Sequence, residues 1–164
     1  VQLLGSGTIL REVMAGAELL EKDFGIAADI WSVTSFNELR RDGLETARWN
    51  LLHPEKEPRR SYLERCLRDH TGPVIAATDY MKLFADQIRA YLPQPAHYSV
   101  LGTDGFGRSD TREKLRRFFE VDRHHVAVVA LKALADDGAI PAARVDEALE
   151  KYAIDRAKPA PWTV

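Results

Sequence analysis

Two kinds of hydrophobic pattern alternate along the chain and predict strands separated by helices. Short apolar runs at residues 1–4, 74–77 and 98–101 are typical of buried strands, and residues 28–34 alternate apolar with polar positions. Apolar residues at steps of three and four predict an amphipathic helix over residues 9–24. The same helical spacing recurs after each later run, so every strand is expected to be followed by helix.

Local signals predict where the further helices begin. Ser35 and Glu38 have the capping-box spacing, in which each side chain satisfies a backbone N–H at the helix start, and this helix should run until Pro54. Asp110 and Glu113 repeat the same spacing. The other predicted helix starts are Pro58, Thr78 or Asp79, Asp122, and Pro141.

Strands separated by helices, without an Asn-Gly or Asp-Gly hairpin between them, predict parallel pairing through right-handed crossovers. The predicted fold class is therefore α/β, a three-layer α/β/α sandwich around a small, mostly parallel sheet of four or five strands. Residues 1–155 are expected to form this domain. Residues 156–164 are expected to be an extended tail, because Pro159 and Pro161 bias their predecessors away from helix.

Composition and charge narrow the class of protein. The 164 residues are 45% hydrophobic and 29% charged, the balance of a globular domain with a core. Lys and Arg total 23 against 25 Asp and Glu, which argues against a general nucleic-acid binder. The single cysteine, Cys66, excludes an internal disulfide and a multi-cysteine zinc site. Without a membrane-length apolar run or a secretory leader, a cytoplasmic location is expected.

The glycine-rich segment after the fourth predicted strand is the main candidate site. Residues 102–109 follow the carboxyl end of that strand, where open α/β sheets place ligand and partner sites. It is a candidate interface or substrate-approach loop, or else a structural loop fixed by pairing of its Asp and Arg residues. The candidate residues are Asp104, Gly105, Phe106, Gly107, Arg108 and Ser109.

Other motifs leave alternatives open but define no active site. Gly5-Ser6-Gly7 between strand and helix invites a nucleotide-binding interpretation, yet Leu10 stands where the dinucleotide fingerprint needs its third glycine. A free-standing nucleotide or anion-binding module is thus one alternative. A partner-docking module using the proline-rich tail and Trp162 is another. The motifs predict no catalytic, cofactor-binding or metal-binding residue.

Five blocks of the sequence resemble one known family. They are VQLLGSG (1–7), SVTSFNELRRDG (32–43), WNLLHP (49–54), TDYMKLFA (78–85) and LGTDGFGRSD (101–110), and the last is followed by FFEVD (118–122). The chain resembles the C-terminal, transketolase-type domain of the decarboxylating component of the bacterial pyruvate dehydrogenase complex, in its homodimeric form. The abrupt start on a strand, without Met, also fits a domain of a longer polypeptide.

The resemblance implies an enzyme whose chemistry lies outside these residues. The full subunit of that family uses thiamine diphosphate and Mg²⁺ to decarboxylate pyruvate, on the route from glycolysis to acetyl-CoA, and to reductively acetylate lipoyl groups of the dihydrolipoyl acetyltransferase component. Its cofactor sits between two other domains, so the isolated chain is expected to be inactive and to hold no cofactor. Its expected partners are the remaining domains of the parent chain, a homodimer partner and the acetyltransferase, with neither nucleic acid nor membrane.

Overall fold

The structure is a computed structural model that describes the backbone of residues 1–164 and the side chains of residues 1–95 and 97–164. The strands are β1 (Gln2–Gly5), β2 (Asp29–Ser32), β3 (Val74–Ala77) and β4 (Tyr98–Leu101). The helices are α1 (Leu10–Phe24), α2 (Phe36–Leu52), α3 (Tyr62–Leu67), α4 (Lys82–Asp86), α5 (Arg112–Phe118), α6 (Arg123–Asp136) and α7 (Ala143–Lys151). Three 3-10 turns lie between these elements, at Gly7–Ile9, Arg89–Tyr91 and Pro95–His97, and a fourth follows α7 at Pro161–Thr163.

The strands form one parallel sheet in the order β2-β1-β3-β4 within the described backbone. Leu3 of β1 is in register with Ile30 of β2 on one side and with Ile75 of β3 on the other, and Ile75 is in register with Ser99 of β4. The prediction of a small, mostly parallel sheet of four or five strands is confirmed. The central strands β1 and β3 are buried along their whole length, whereas β2 is a largely exposed edge.

Helices cover both faces of the sheet and enclose two separate cores. Successive strand residues point to opposite faces, so Leu3 and Ile75 enter one core while Leu4 and Ala76 enter the other. The first core is closed by α1, α6 and α7, and the second by α2, α3 and α4. This arrangement confirms the predicted three-layer α/β/α sandwich.

The helix starts agree with the sequence in some places and differ in others. The Ser35 hydroxyl accepts the Glu38 N–H at 3.2 Å, as the capping-box spacing predicts. Helix α3 does not begin at the predicted Pro58, because the hydroxyl that caps it belongs to Ser61. For α5 the expected Asp110 cap is also wrong. Its carboxylate accepts the N–H of the neighbouring residue 111, whose own hydroxyl caps the helix.

The end of the chain lies against the domain. The segment expected to be extended contains the 3-10 turn at Pro161–Thr163, and Pro161 is buried. The Lys158 ammonium donates to the Phe118 carbonyl at 2.6 Å and pairs with Glu120 at 2.9 Å. Among the described helices, none is both long enough and apolar enough to cross a membrane.

Candidate functional site

The carboxyl edge of the sheet contains a topological switch point. Strands β1 and β3 are neighbours, but α1 follows β1 onto one face and α4 follows β3 onto the other. The loops therefore separate there, which is where open α/β sheets place ligands and partners. The Ser6 hydroxyl after β1 donates to the Thr78 hydroxyl after β3 at 2.9 Å, and residues 102–109 follow β4 at the same edge.

The loop after β4 is fixed against the start of α4. The Thr103 N–H donates to the Tyr80 carbonyl at 2.9 Å, and the Asp104 carboxylate accepts the Lys82 N–H at 2.9 Å. A Cβ at Gly102 would stand 2.6 Å from the Lys82 nitrogen, so only glycine permits this approach of the two backbones. Asp104 therefore has a structural role, as the acceptor at the beginning of α4.

The sequence-based cap for α4 is consequently wrong. Thr78 or Asp79 was the expected cap, but α4 begins at Lys82, and Met81 before it provides no side-chain cap. The acceptor comes instead from Asp104, which is 22 residues further along the chain. A local capping pattern cannot predict an acceptor that only the sheet brings into place.

The second half of the loop is held by the end of the chain. Gly105 has φ +124°, a conformation that favours glycine, and a Cβ there would stand 2.5 Å from the Pro161 carbonyl oxygen. The tail therefore lies directly against the loop. Phe106 projects away from it, with 78% of its surface exposed.

The charged groups of the loop do not pair with each other among the described contacts. The Arg108 guanidinium lies 4.3 Å from the centre of the Phe118 ring, a cation–π arrangement, while Asp104 is occupied by α4. The alternative of an Asp104–Arg108 pair is therefore wrong. Gly105 to Ser109 are all exposed, so the structure places the candidate residues together on one accessible loop with Asp104 at its base.

Beside the loop lies a cleft of about 400 Å³, which reaches from the β1 and β3 loops to α5. Thr8, Asp79 and Thr103 contribute polar groups beside arginine side chains, and the Thr8 hydroxyl donates to the Asp79 carboxylate at 3.3 Å. Within the described side chains, no group of three His, Cys, Asp or Glu residues could hold a metal ion. The cleft offers hydrogen bonds, and three arginines line it, Arg108, Arg112 and Arg116.

The sequence analysis did not predict a buried set of ion pairs behind this cleft. Glu12 of α1 is only 4% exposed, and its carboxylate pairs with Arg116 at 2.8 Å and with Arg123 at 3.0 Å. It also accepts the Arg123 N–H at 3.1 Å, so α1, α5 and α6 meet at one side chain. The signal was present, because Glu12 falls between Ile9 and Val13 on the apolar face of α1.

Two carboxylates in this region have lowered pKa values. Burial by itself would raise the pKa of Glu12, but hydrogen bonds and charge from Arg123, with the charge of Arg116, lower it. Burial likewise opposes ionisation of Asp122, but hydrogen bonds from the His125 ring and N–H outweigh it and hold its pKa well below the usual range. Both carboxylates are therefore engaged within the fold.

Comparison with known proteins finds one matching family model and several proteins with similar sequences. The family model described as the transketolase-like TK C-terminal domain matches residues 1–122. Proteins named "Pyruvate dehydrogenase E1 component" are 65% identical over 161 residues in Pseudomonas aeruginosa, 58% over 164 in Cupriavidus necator and 54% over 161 in Escherichia coli K12. These alignments cover 98%, 100% and 98% of this chain, but only 18% of each relative.

A solved structure supports the fold alone. A chain titled "Split gene transketolase, inactive beta4 tetramer" matches with a TM-score of 0.55 and 20% identity, covering 82% of this chain and 39% of that one. The family match spans β1 to the cap of α6, and it includes the loop after β4. The chain therefore belongs to the transketolase-like C-terminal domain family.

Proposed function

We propose that this chain is the C-terminal domain of a pyruvate dehydrogenase E1 component. The observation that carries the proposal is 65% identity to such a protein over 98% of the chain. The parent protein would decarboxylate pyruvate with thiamine diphosphate and Mg²⁺ and transfer the acetyl group to lipoyl groups of the acetyltransferase component. A free-standing nucleotide or anion-binding module is not favoured, because the relatives are more than five times longer than this chain.

The described residues do not supply the carboxylate ligands that the metal ion of that cofactor needs. Asp104, whose Asp-Gly pair superficially resembles part of a metal-binding motif, uses its carboxylate to accept the Lys82 N–H. Glu12 and Asp122 are engaged by arginine and histidine side chains. We therefore assign the cofactor to other parts of the parent protein.

The role left to this domain is architectural. The loop after β4 is fixed at its base by Asp104 and at its far side by the tail, and it presents Phe106 and Arg108 to solvent. A rigid, exposed loop at the carboxyl edge of a sheet is suited to support a dimer or to border the approach of a lipoyl domain.

The first test measures activity in the full-length protein. Purified full-length protein is expected to decarboxylate pyruvate only with added thiamine diphosphate and Mg²⁺, and the separate 164-residue chain to be inactive. Full-length protein without this activity would refute the parent function. Activity in the separate chain would refute the architectural role.

The second test separates architecture from cofactor binding. Phe106→Ala or Arg108→Ala in the full-length protein should impair assembly or acetyl transfer while leaving thiamine diphosphate affinity unchanged. Arg41→Ala is the control, because Arg41 is exposed on α2 and pairs only with Glu38 among the described ion pairs. Weakened cofactor binding with normal assembly and transfer would contradict the proposal.

A further inference from the structure

A cluster of large apolar side chains is exposed at the carboxyl edge of the sheet. We call it the edge patch, and it consists of Tyr80, Met81, Leu83, Phe84, Phe106 and Trp162, which are 41–78% exposed. Three separate segments contribute to it: the start of α4, the loop after β4 and the tail. No residue of the patch belongs to either buried core.

The three segments of the patch lie against one another. The rings of Tyr80 and Phe84 lie 5.3 Å apart, and the Lys82 ammonium lies 4.8 Å from the Trp162 ring. A Cβ at Gly105, next to Phe106, would stand 3.3 Å from the Trp162 Cα. The three segments therefore form one surface.

This surface is preformed. The Thr103 and Asp104 hydrogen bonds hold the loop to the start of α4, and buried Pro161 holds the tail to the loop. The backbone segments that carry the patch are thus held in place by contacts within the domain. Its exposure is a property of the fold.

The area of the patch matches a macromolecular partner. Large aromatic side chains carry roughly 150–250 Å² each, so these exposed fractions amount to on the order of 700 Å² of accessible surface. The largest apolar patch on a monomer is usually about 300–600 Å². One partner in a stable protein interface typically contributes about 800 Å². The patch is therefore close to one side of a standard interface.

The charge around the patch favours a permanent partner. The segments that form the patch carry charges of both signs, with Lys82 and Arg108 close in sequence to Asp79 and Asp110, so no excess of one charge would steer a transient partner. Permanent interfaces are the more apolar class. The relatives that align with the whole chain also carry more than four-fifths of their length outside the aligned region.

We propose that the edge patch packs permanently against the remaining polypeptide of the full-length protein, on an apolar surface of low net charge. This inference rests on the proposed function only in taking the longer protein as the parent. It assigns the patch, including Phe106, to the parent polypeptide itself, so that Phe106 would affect assembly through the placement of this domain. Arg108 lies outside the patch and is left for direct contact with a second copy or a lipoyl domain.

Thiol labelling of the purified full-length protein tests the proposal. Phe106→Cys and, separately, Leu83→Cys are treated with a water-soluble maleimide, and labelling of the peptide is followed by mass spectrometry in native and guanidinium-unfolded protein. Native labelling at either position is expected to be at least tenfold slower than in the unfolded protein. Leu51→Cys is the matched control, because Leu51 on α2 is also 78% exposed but lies outside the patch.

The outcomes separate the possible occupants. Native labelling as fast as in the unfolded protein at positions 106 and 83 overturns the proposal. Protection that is lost on dilution assigns the patch to a second copy, and protection that requires added acetyltransferase component assigns it to that partner; either result also overturns it. Equally slow labelling at position 51 would show that protection is not specific to the patch, and it also overturns the proposal. Pyruvate decarboxylation is assayed on the same protein, so failure of the proposed function is seen independently of labelling.

Discussion

At the scale of single residues, the buried carboxylate of Glu12 is expected to contribute strongly to the free energy of unfolding. This carboxylate joins α1 to Arg116 and Arg123. Glu12→Gln would leave both guanidinium groups without their counter-charge, and we expect it to lower the free energy of unfolding by about 2–3 kcal/mol, less than for a fully buried pair because Arg123 is half-exposed. Urea unfolding of the 164-residue chain measures the change.

Glu38→Gln provides the control for this prediction. Glu38 pairs with Arg41 at 2.8 Å, but the two side chains are 62% and 74% exposed. An exposed pair contributes about 0–1 kcal/mol, so this variant should unfold almost like the unmodified chain. Equal losses in the two variants would show that burial of Glu12 adds nothing.

Asp122 should make stability depend on pH. Burial alone would raise its pKa, but the His125 hydrogen bonds and the charge of Arg117 lower it in the folded state. A lowered folded pKa stabilises the fold above the unfolded pKa of about 3.9, and this contribution is lost as pH falls through the folded value. Asp122→Asn keeps a capping side chain, so its deficit in unfolding free energy should be largest near neutral pH and should shrink below about pH 4. Urea unfolding at pH 7, 5 and 3 measures it, and a deficit independent of pH would contradict the assignment.

At the scale of elements, we expect the stability of the fold to be sensitive to substitution where the loop after β4 contacts the start of α4. A Cβ at Gly102 would meet the Lys82 nitrogen at 2.6 Å and the Tyr80 carbonyl oxygen at 2.7 Å. Gly102→Ala should therefore force the two backbones apart and lower the free energy of unfolding by about 2–3 kcal/mol. Gly107→Ala in the same loop meets nothing within 4 Å and should change it little. Similar losses in both variants would contradict this account of Gly102.

Local features of the fold were predicted from the sequence, whereas contacts between distant residues were not. The strands at 74–77 and 98–101 were predicted with the observed bounds, because a continuous apolar run is a local signal. The Ser35 cap was predicted for the same reason. Asp104 reaches α4 from 22 residues away and Glu12 meets Arg123 from 111 residues away, so only the folded chain reveals those contacts.

The place of the candidate loop in the fold was predicted from the sequence, but the contacts that support the loop were not. Residues 104–109 lie at the carboxyl edge of the sheet, as a loop after a parallel strand should. Their supports come from the tail and from α5, through Pro161 and Phe118. The edge patch was not predicted either, because its side chains come from three distant segments.

At the scale of the whole molecule, burial divides the sheet into a protected centre and an open edge. The central strands β1 and β3 have neighbours on both sides, whereas β2 pairs only with β1 within the described backbone. The Asp29 N–H donates to the Val1 carbonyl just before β1, and the Val33 N–H donates to the Gly5 carbonyl at its end. Because N–H groups alternate in direction along a parallel strand, the N–H groups of Ile30 and Ser32 point away from β1. Stability against local opening should therefore fall from the centre to this edge.

Native-state hydrogen exchange of the 164-residue chain measures this gradient. The amides of Leu3 and Ile75 should exchange only through global unfolding, because they are buried in the sheet centre. Those of Ile30 and Ser32 should exchange at least about a hundredfold faster, since water reaches them without any strand separating. Equal protection would mean that another backbone pairs with the outer edge of β2, and addition of denaturant would then show whether that contact opens with the central strands or before them.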